Sequence, residues 1–260
     1  MERKIEEELA AFERLLNIMD ELRAKCPWDK KQTIESLRHL TIEETYELSD
    51  AILKNDIQEI KRELGDILLH IVFYAKVASE DDQFTIKDVI NSLNEKLIRR
   101  HPHVFGDVKV NNAEDVKENW ENIKRDLEKK TTLGGVPDSL PSLIKAHRIQ
   151  EKARGVGFDW EEPQQVIDKV MEELNELKFE IEQNTDKNKI EEEFGDLFFS
   201  LINYARFIDV NPEDALSKTN NKFIKRFNYL EEQSTKAGLQ LKNMSLAEMD
   251  VYWNEAKKLD

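Results

Sequence analysis

The sequence predicts an all-α protein that arose by internal duplication. Only 8 glycines and 6 prolines interrupt its 260 residues. Its apolar residues recur mostly at the three- and four-residue spacing of helices, without the alternation typical of strands. An acidic pattern, Glu-Glu-x-x-Glu followed on the next helix by Glu-x-Gly-Asp, occurs once in each half of the chain. Apolar stripes accompany both copies: Leu64, Ile67, Leu68, Ile71 and Val72 in the first, and Leu197, Phe198, Leu201 and Ile202 in the second.

The segment between the two halves cannot be helical. Residues 131–141 contain two adjacent glycines and two prolines, so we predict a linker between an N-terminal domain, 1–130, and a C-terminal domain, 142–260. Further residues repeat in the same order in both domains, with only loop lengths differing, which indicates duplication. The aligned sets are Tyr74 to Lys76 with Tyr204 to Arg206, Lys96 to Arg100 with Lys222 to Arg226, and Trp120 and Lys124 with Trp253 and Lys257.

Several helix starts are recognisable from capping residues. A short polar side chain followed by another polar residue in the first turn is typical of an N-cap. We therefore predict N-caps at Asn55, Asn211 and Ser245.

The acidic pattern places carboxylates on one face of each helix. Residues three or four apart share a helix face, so Glu44 and Glu47 project together, as do Glu63 and Asp66 one helix later. The short connection around Asn55 makes the two helices antiparallel neighbours, which brings the four carboxylates together. The same spacing in the second half groups Glu173, Glu176, Glu193 and Asp196.

These two clusters predict two sites for a hard divalent cation. An all-oxygen set without cysteine or histidine suits Mg²⁺ or Mn²⁺ better than Zn²⁺, and carboxylates beside apolar residues need a compensating charge. Gly65 and Gly195 lie mid-helix inside the pattern, where glycine costs roughly 1 kcal/mol relative to alanine. Both glycines therefore indicate close backbone approach. The alternative is a solvated acidic face.

Basic residues in the second half suit phosphate oxygens. Lys222 and Arg226 lie four apart on one helix face, and Lys169 and Lys189 each precede an acidic motif by about a turn. Trp253 adds a possible stacking surface. The alternatives are surface salt bridges for the basic residues and a core position for the tryptophan.

The first half lacks part of this basic set. It has Leu40 where Lys169 falls and Glu59 where Lys189 falls. If only one half is catalytically competent, we therefore expect it to be the second.

Composition excludes several other classes of protein. A net charge of −15 argues against nonspecific DNA binding, which relies on clustered cations. No apolar run approaches the roughly 20 residues that span a bilayer, and the N-terminus lacks a signal-peptide core, so we expect a soluble cytoplasmic protein. There is no P-loop motif. No histidine follows an acid by three residues, as a di-iron bundle requires.

With these motifs, the chain resembles the MazG family of all-α nucleoside triphosphate pyrophosphohydrolases. Further matches extend the resemblance from about Leu15 to Lys257, and they include Cys26 to Asp29, Arg99 to Phe105, Gly135 to Pro137 and Val156 to Trp160. The resemblance implies two tandem four-helix-bundle domains in a homodimer. It also implies hydrolysis of NTPs or dNTPs to the monophosphate and diphosphate, with Mg²⁺ (or Mn²⁺), broad base tolerance and a house-cleaning role.

The resemblance also assigns roles to individual residues. Those matching the family's catalytic and metal-binding set are Glu173, Glu176, Glu193 and Asp196, and the first-half metal set is Glu44, Glu47, Glu63 and Asp66. Residues that would line the nucleotide are Lys169, Glu172, Lys189, Glu192, Lys222, Arg226 and Trp253.

Two alternative functions remain open at this point. One is an acidic helical module that regulates a partner protein without turnover. The other is a pyrophosphatase specific for one nucleotide, such as dCTP or dUTP. The sequence also leaves open which carboxylate activates water and whether the first half turns over substrate.

Overall fold

The computed structural model describes residues 4–110, 112, 116 and 131–259. This part of the chain is helical and contains no strand, so the predicted all-α class is confirmed. The chain divides into two compact units, residues 1–120 and 121–260. Trp120 and Lys124, which the sequence aligns with Trp253 and Lys257, lie outside the described residues.

The first unit is built around a helical hairpin. Within the described residues its α-helices are α1 (Ile5–Lys25), α2 (Ile34–Leu53), α3 (Ile57–Glu80), α4 (Ile86–Arg100) and the short α5 (Pro102–Phe105). Helices α2 and α3 pack along each other, and α1 packs against α3. The buried core joins these three helices through Met19, Leu37, Val72 and Phe73.

The second unit contains a matching hairpin. Its helices are α6 (Ser142–Arg154), α7 (Pro163–Glu182), α8 (Lys187–Phe207), α9 (Pro212–Lys236) and α10 (Leu246–Ala256). Helices α7 and α8 form the hairpin, α6 lies against α8 and α9, and α10 pairs with α9. Turns occupy the segment 131–141 that precedes α6. The buried apolar residues include Val166, Val170, Leu177, Ile202 and Leu230. None of the helices described is both long and apolar enough to cross a membrane.

Two of the three predicted helix caps are confirmed. Asn211 and Ser245 each accept a backbone N–H of their helix, and Ser245 forms a capping box with Glu248. The prediction for α3 is wrong by one residue. Asp56 is the cap, and it accepts hydrogen bonds from two backbone amides. Asn55 instead has a φ of 54°, a left-handed conformation that asparagine tolerates better than most residues.

Both predicted apolar stripes are only partly buried. Val72 and Ile202 are buried, whereas the other side of each stripe is exposed, through Leu64, Leu68 and Ile71 on α3 and Phe198 and Leu201 on α8. Phe194, one turn before Phe198, is exposed as well. A Cβ added at Gly65 or Gly195 would meet no described heavy atom within 4 Å. Close backbone approach at these glycines is therefore wrong within the described chain. Among the residues that the structure describes, nothing covers the apolar face of either hairpin at these positions.

Candidate metal centres and an adjoining cavity

Each helical hairpin brings three carboxylates together. One oxygen from each residue of a group lies within 4.8 Å of the others, and the groups are Glu44, Glu63 and Asp66 in the first unit and Glu173, Glu193 and Asp196 in the second. The first acid of each group comes from the earlier helix. The other two lie three residues apart on the later helix, which places them on one face. Among the described residues, Glu47 and Glu176 are exposed and do not belong to these close groups.

The carboxylates of each group repel one another. Burial raises the pKa of Glu44, and the neighbouring Asp66 and Glu47 raise it further. In the second unit, burial and then Glu176 and Asp196 raise the pKa of Glu193. An elevated carboxylate pKa means that the ionised cluster is unfavourable without a compensating cation. The converging oxygens, the partial burial and the repulsion fit a hard divalent cation.

In each group, the most buried carboxylate forms a salt bridge with a basic side chain of the same unit. Glu173 is 7% exposed, and the Lys169 Nζ lies 2.7 Å from its carboxylate and 2.9 Å from that of Glu172. Hydrogen bonds to these two acids raise the pKa of Lys169, so its ammonium is firmly charged. In the first unit, Glu63 is 1% exposed and pairs with Arg62 at 2.8 Å.

Arg62 was not predicted as a site residue. It directly precedes Glu63 in the sequence, and it also pairs with Glu59. Because Glu63 aligns with Glu193, Arg62 stands where the second unit has Glu192. The basic residue that pairs with the most buried acid therefore comes from a different position in each unit. In the sequence, the arginine directly before Glu63 was the feature that could have predicted this contact.

A cavity of about 560 Å³ adjoins the second carboxylate group. Lys169, Glu173 and Asp196 form its charged wall. Most of its remaining surface is apolar or aromatic, and the lining includes Phe158, Trp160, Val166, Phe199, Gln150, Ser200 and Asn203. This volume and this mixture of apolar surface with a few polar groups are typical of small-molecule sites.

An ion pair holds one wall of the cavity in place. Arg206 on α8 donates two hydrogen bonds to Asp159, at 3.0 and 2.5 Å, and two to the Asn203 Oδ1, at 2.8 and 3.2 Å. This bidentate pairing fixes the loop that carries Phe158 and Trp160 against α8. In the sequence, Asp159 and Arg206 belong to two separate motifs, Val156 to Trp160 and Tyr204 to Arg206. Their separation of 47 residues along the chain hides the contact.

The residues predicted to line the nucleotide lie in more than one place. Lys169 is beside the second carboxylate group, whereas the described lining of the 560 Å³ cavity does not include Lys189, Glu192, Lys222, Arg226 or Trp253. Lys189 and Glu192 are exposed near the start of α8. The Arg226 guanidinium lies 5.9 Å from the Trp253 ring centroid, and Arg226 also lines a smaller recess of about 250 Å³ with Lys225 and Tyr229.

The chain is similar to known proteins along nearly its full length. A Thermotoga maritima protein named nucleoside triphosphate pyrophosphohydrolase/pyrophosphatase MazG is 48% identical over 251 residues, which cover 95% of each chain. An Escherichia coli protein named nucleoside triphosphate pyrophosphohydrolase is 41% identical over 255 residues, covering 95% of this chain and 97% of that protein. The uncharacterised Bacillus subtilis protein YabN is 45% identical over 255 residues, which span 96% of this chain and 52% of YabN.

The family pattern also matches the chain twice. The sequence profile of the MazG nucleotide pyrophosphohydrolase domain covers residues 32–105 and 161–230. Each match contains one helical hairpin with its three converging carboxylates, so the predicted tandem duplication is confirmed. The chain therefore belongs to the MazG family of nucleotide pyrophosphohydrolases.

Proposed function

We propose that this chain hydrolyses nucleoside triphosphates to the monophosphate and diphosphate, and that its second unit carries the reaction. One observation supports this choice above all. In the second unit, a charged wall of Lys169, Glu173 and Asp196 belongs to the same cavity as an apolar and aromatic surface. Lys169, together with a divalent cation held by the carboxylates, would suit a triphosphate, and the apolar surface suits a nucleoside. One cavity would then offer both parts of the substrate a complementary environment.

We propose Glu173, Glu193 and Asp196 as ligands of Mg²⁺ or Mn²⁺, with Glu176 as a further candidate. When bound, such an ion neutralises charge on phosphate oxygens and lowers the pKa of water. The corresponding candidates in the first unit are Glu44, Glu47, Glu63 and Asp66. There, Leu40 and Glu59 stand where the second unit has Lys169 and Lys189, which favours a supporting role.

The chain's own residues would position the substrate and move the proton. The Lys169 ammonium, held on the cavity wall by two carboxylates, would bind phosphate oxygens as a point charge. One carboxylate among Glu173, Glu176 and Asp196 would accept the proton of the attacking water. The further nucleotide contacts that we propose are Glu172, Lys189, Glu192, Lys222, Arg226 and Trp253.

We propose broad base tolerance and hence a house-cleaning role. Most of the cavity lining is apolar or aromatic, and such surfaces discriminate only modestly between similar groups. An enzyme specific for one base would need several matched polar contacts.

Pyrophosphate release is expected to require a divalent cation. Incubating the protein with ATP, GTP, dCTP and dUTP in Mg²⁺ or Mn²⁺ should yield monophosphate and pyrophosphate in equal amounts. EDTA should lower the rate at least about 100-fold, because the metal contributes several kcal/mol of charge stabilisation. Orthophosphate as the first product would contradict the proposed reaction. Turnover of a single nucleotide would identify a specific pyrophosphatase, and no turnover of any nucleotide would favour the regulatory module.

We also propose that the chain forms a homodimer through the open apolar face of α8. Phe194, Phe198 and Leu201 are exposed at helical spacing on this face, and Phe198 is 50% exposed. Gly195 lies among them with open space beyond its Cα, which leaves room for a second copy to approach. Interface cores are enriched in aromatic residues.

The Phe198→Glu variant should be monomeric where the wild type is dimeric. A charge in the centre of a buried apolar interface costs several kcal/mol, so the dissociation constant should rise at least about 100-fold. Sedimentation equilibrium would measure this change. Leu246→Glu is the control, because Leu246 is an exposed apolar residue on a different helix, at the start of α10, which packs against α9. A wild-type monomer, or a dimeric Phe198→Glu variant, would contradict the interface.

A further inference from the structure

A buried amide on the cavity wall has an unsatisfied acceptor. Gln150, on α6, is 6% exposed and lines the 560 Å³ cavity. Its Nε2 donates to the Phe199 carbonyl oxygen at 2.7 Å, which fixes the orientation of the amide. Its Oε1 is buried and has no hydrogen-bond partner among the described residues. Since buried acceptors are normally paired, a bound molecule with an N–H group is the natural partner for this oxygen.

We infer that the cavity takes the nucleoside part of the substrate and that Gln150 Oε1 accepts a hydrogen bond from the base. This inference rests on the proposed function, because it assigns a place to the base of the nucleotide whose phosphates meet Lys169. The same cavity that holds the charged wall also contains Gln150. A nucleotide in it would therefore contact both.

The rest of the cavity lining suits a planar ring. Phe158, Trp160 and Phe199 supply aromatic surface, against which a base can stack. The loop carrying Phe158 and Trp160 is held by the Asp159–Arg206 pair, so part of this surface is preorganised. Asn203 adds a second amide on the same wall, although its Oδ1 already accepts from Arg206.

A single acceptor explains how the site would bind many bases without choosing among them. Every common base carries an N–H donor on its pairing edge: an amino group in adenine and cytosine, a ring N–H in uracil and thymine, and both in guanine. Gln150 Oε1 would accept from whichever donor is present. It would discriminate only against a base that has none.

The test compares ATP with purine riboside triphosphate, which lacks the 6-amino group and is otherwise identical. In the wild type we expect kcat/KM for the analogue to be about tenfold lower, because the buried acceptor then remains unpaired. In the Gln150→Met variant, the ratio of kcat/KM for ATP to kcat/KM for the analogue should fall to about one, because kcat/KM for ATP decreases. The Gln164→Met variant is the control, since Gln164 is exposed and bonds only Asp168 among the hydrogen bonds described. It should keep the tenfold ratio.

The outcomes separate this inference from the proposed function. Equal kcat/KM for the two nucleotides in the wild type would overturn the role of Gln150, and that comparison stands even if Gln150→Met fails to fold. Pyrophosphate release without discrimination would leave the proposed function intact. If neither nucleotide released pyrophosphate, the proposed function would fail, and calorimetry with AMP and purine riboside monophosphate would decide the base site. A tenfold difference in their affinity supports the site, and equal affinity overturns it.

Discussion

We expect the Glu193→Gln variant to lose hydrolysis of nucleoside triphosphates while it keeps its helical structure. Glu193 lies in the carboxylate group of the second unit, with an oxygen within 4.8 Å of those of Glu173 and Asp196. Glutamine preserves the size of the side chain but removes the charge that a hard cation requires. We expect kcat/KM to fall about 1,000-fold, equivalent to several kcal/mol of transition-state stabilisation. Pyrophosphate release in Mg²⁺ measures the activity, and circular dichroism measures the helicity.

The aligned residue of the first unit is the matched control. Glu63 occupies the position of Glu193 in the duplicated hairpin, but it is buried and paired with Arg62. Because we place the reaction in the second unit, Glu63→Gln should change kcat/KM less than about threefold. Full turnover by Glu193→Gln would refute the assignment of metal ligands. Loss of activity in Glu63→Gln alone would move the reaction to the first unit.

Removing the Arg206 side chain is expected to cause a large loss of stability in the second unit. Arg206 is 8% exposed and makes the bidentate contact with Asp159. In the Arg206→Met variant, Asp159 keeps its charge on a side chain that is 20% exposed, with Arg154 as a more distant partner, at 3.8 Å. Breaking a buried pair in this way costs about 3–5 kcal/mol, and we expect about 3 because Asp159 keeps some solvent contact. Urea unfolding followed by tryptophan fluorescence measures this change.

The duplication supplies a control for this experiment as well. Lys76 aligns with Arg206, and it pairs with Asp20 at 2.7 Å, where Asp20 has a largely exposed side chain. Exposed ion pairs contribute about 0–1 kcal/mol, so Lys76→Met should lower the free energy of unfolding by less than about 1 kcal/mol. Similar losses in the two variants would contradict the structural importance of the Asp159–Arg206 pair.

Local patterns were sufficient to predict the helices and three of the four members of each acidic set. The spacing of Glu63 and Asp66 places both on one face of any helix that contains them. The short connection between α2 and α3 makes the two helices antiparallel neighbours, which brings Glu44 close to Glu63 and Asp66. Three members of each predicted set do converge. The fourth members, Glu47 and Glu176, satisfy the same spacing but remain exposed. Spacing predicts which residues share a helix face, but it does not predict which of them point toward the neighbouring helix.

Partners distant in sequence were not predictable. The contacts of Asp159 with Arg206 and of Gln150 with the Phe199 carbonyl join residues 47 and 49 positions apart. No local periodicity encodes such contacts, since they depend on how α6, the following loop and α8 pack. The exposure of Phe194 and Phe198 was likewise not predictable from local sequence patterns. An apolar stripe indicates that a face will be covered, but not whether the cover comes from the same chain.

The sequence by itself determined the helical class, the duplication and the acidic faces, because each follows from residue spacing within one helix or from comparison of the two halves. Only the tertiary structure decided that Arg62 and Lys169 neutralise the buried acids from different positions. It also decided that a cavity adjoins the second carboxylate group, and that Gln150, which lines this cavity, has an acceptor without a partner in the described part of the chain. These features arise from the packing of separate helices, whose mutual positions the local pattern does not specify.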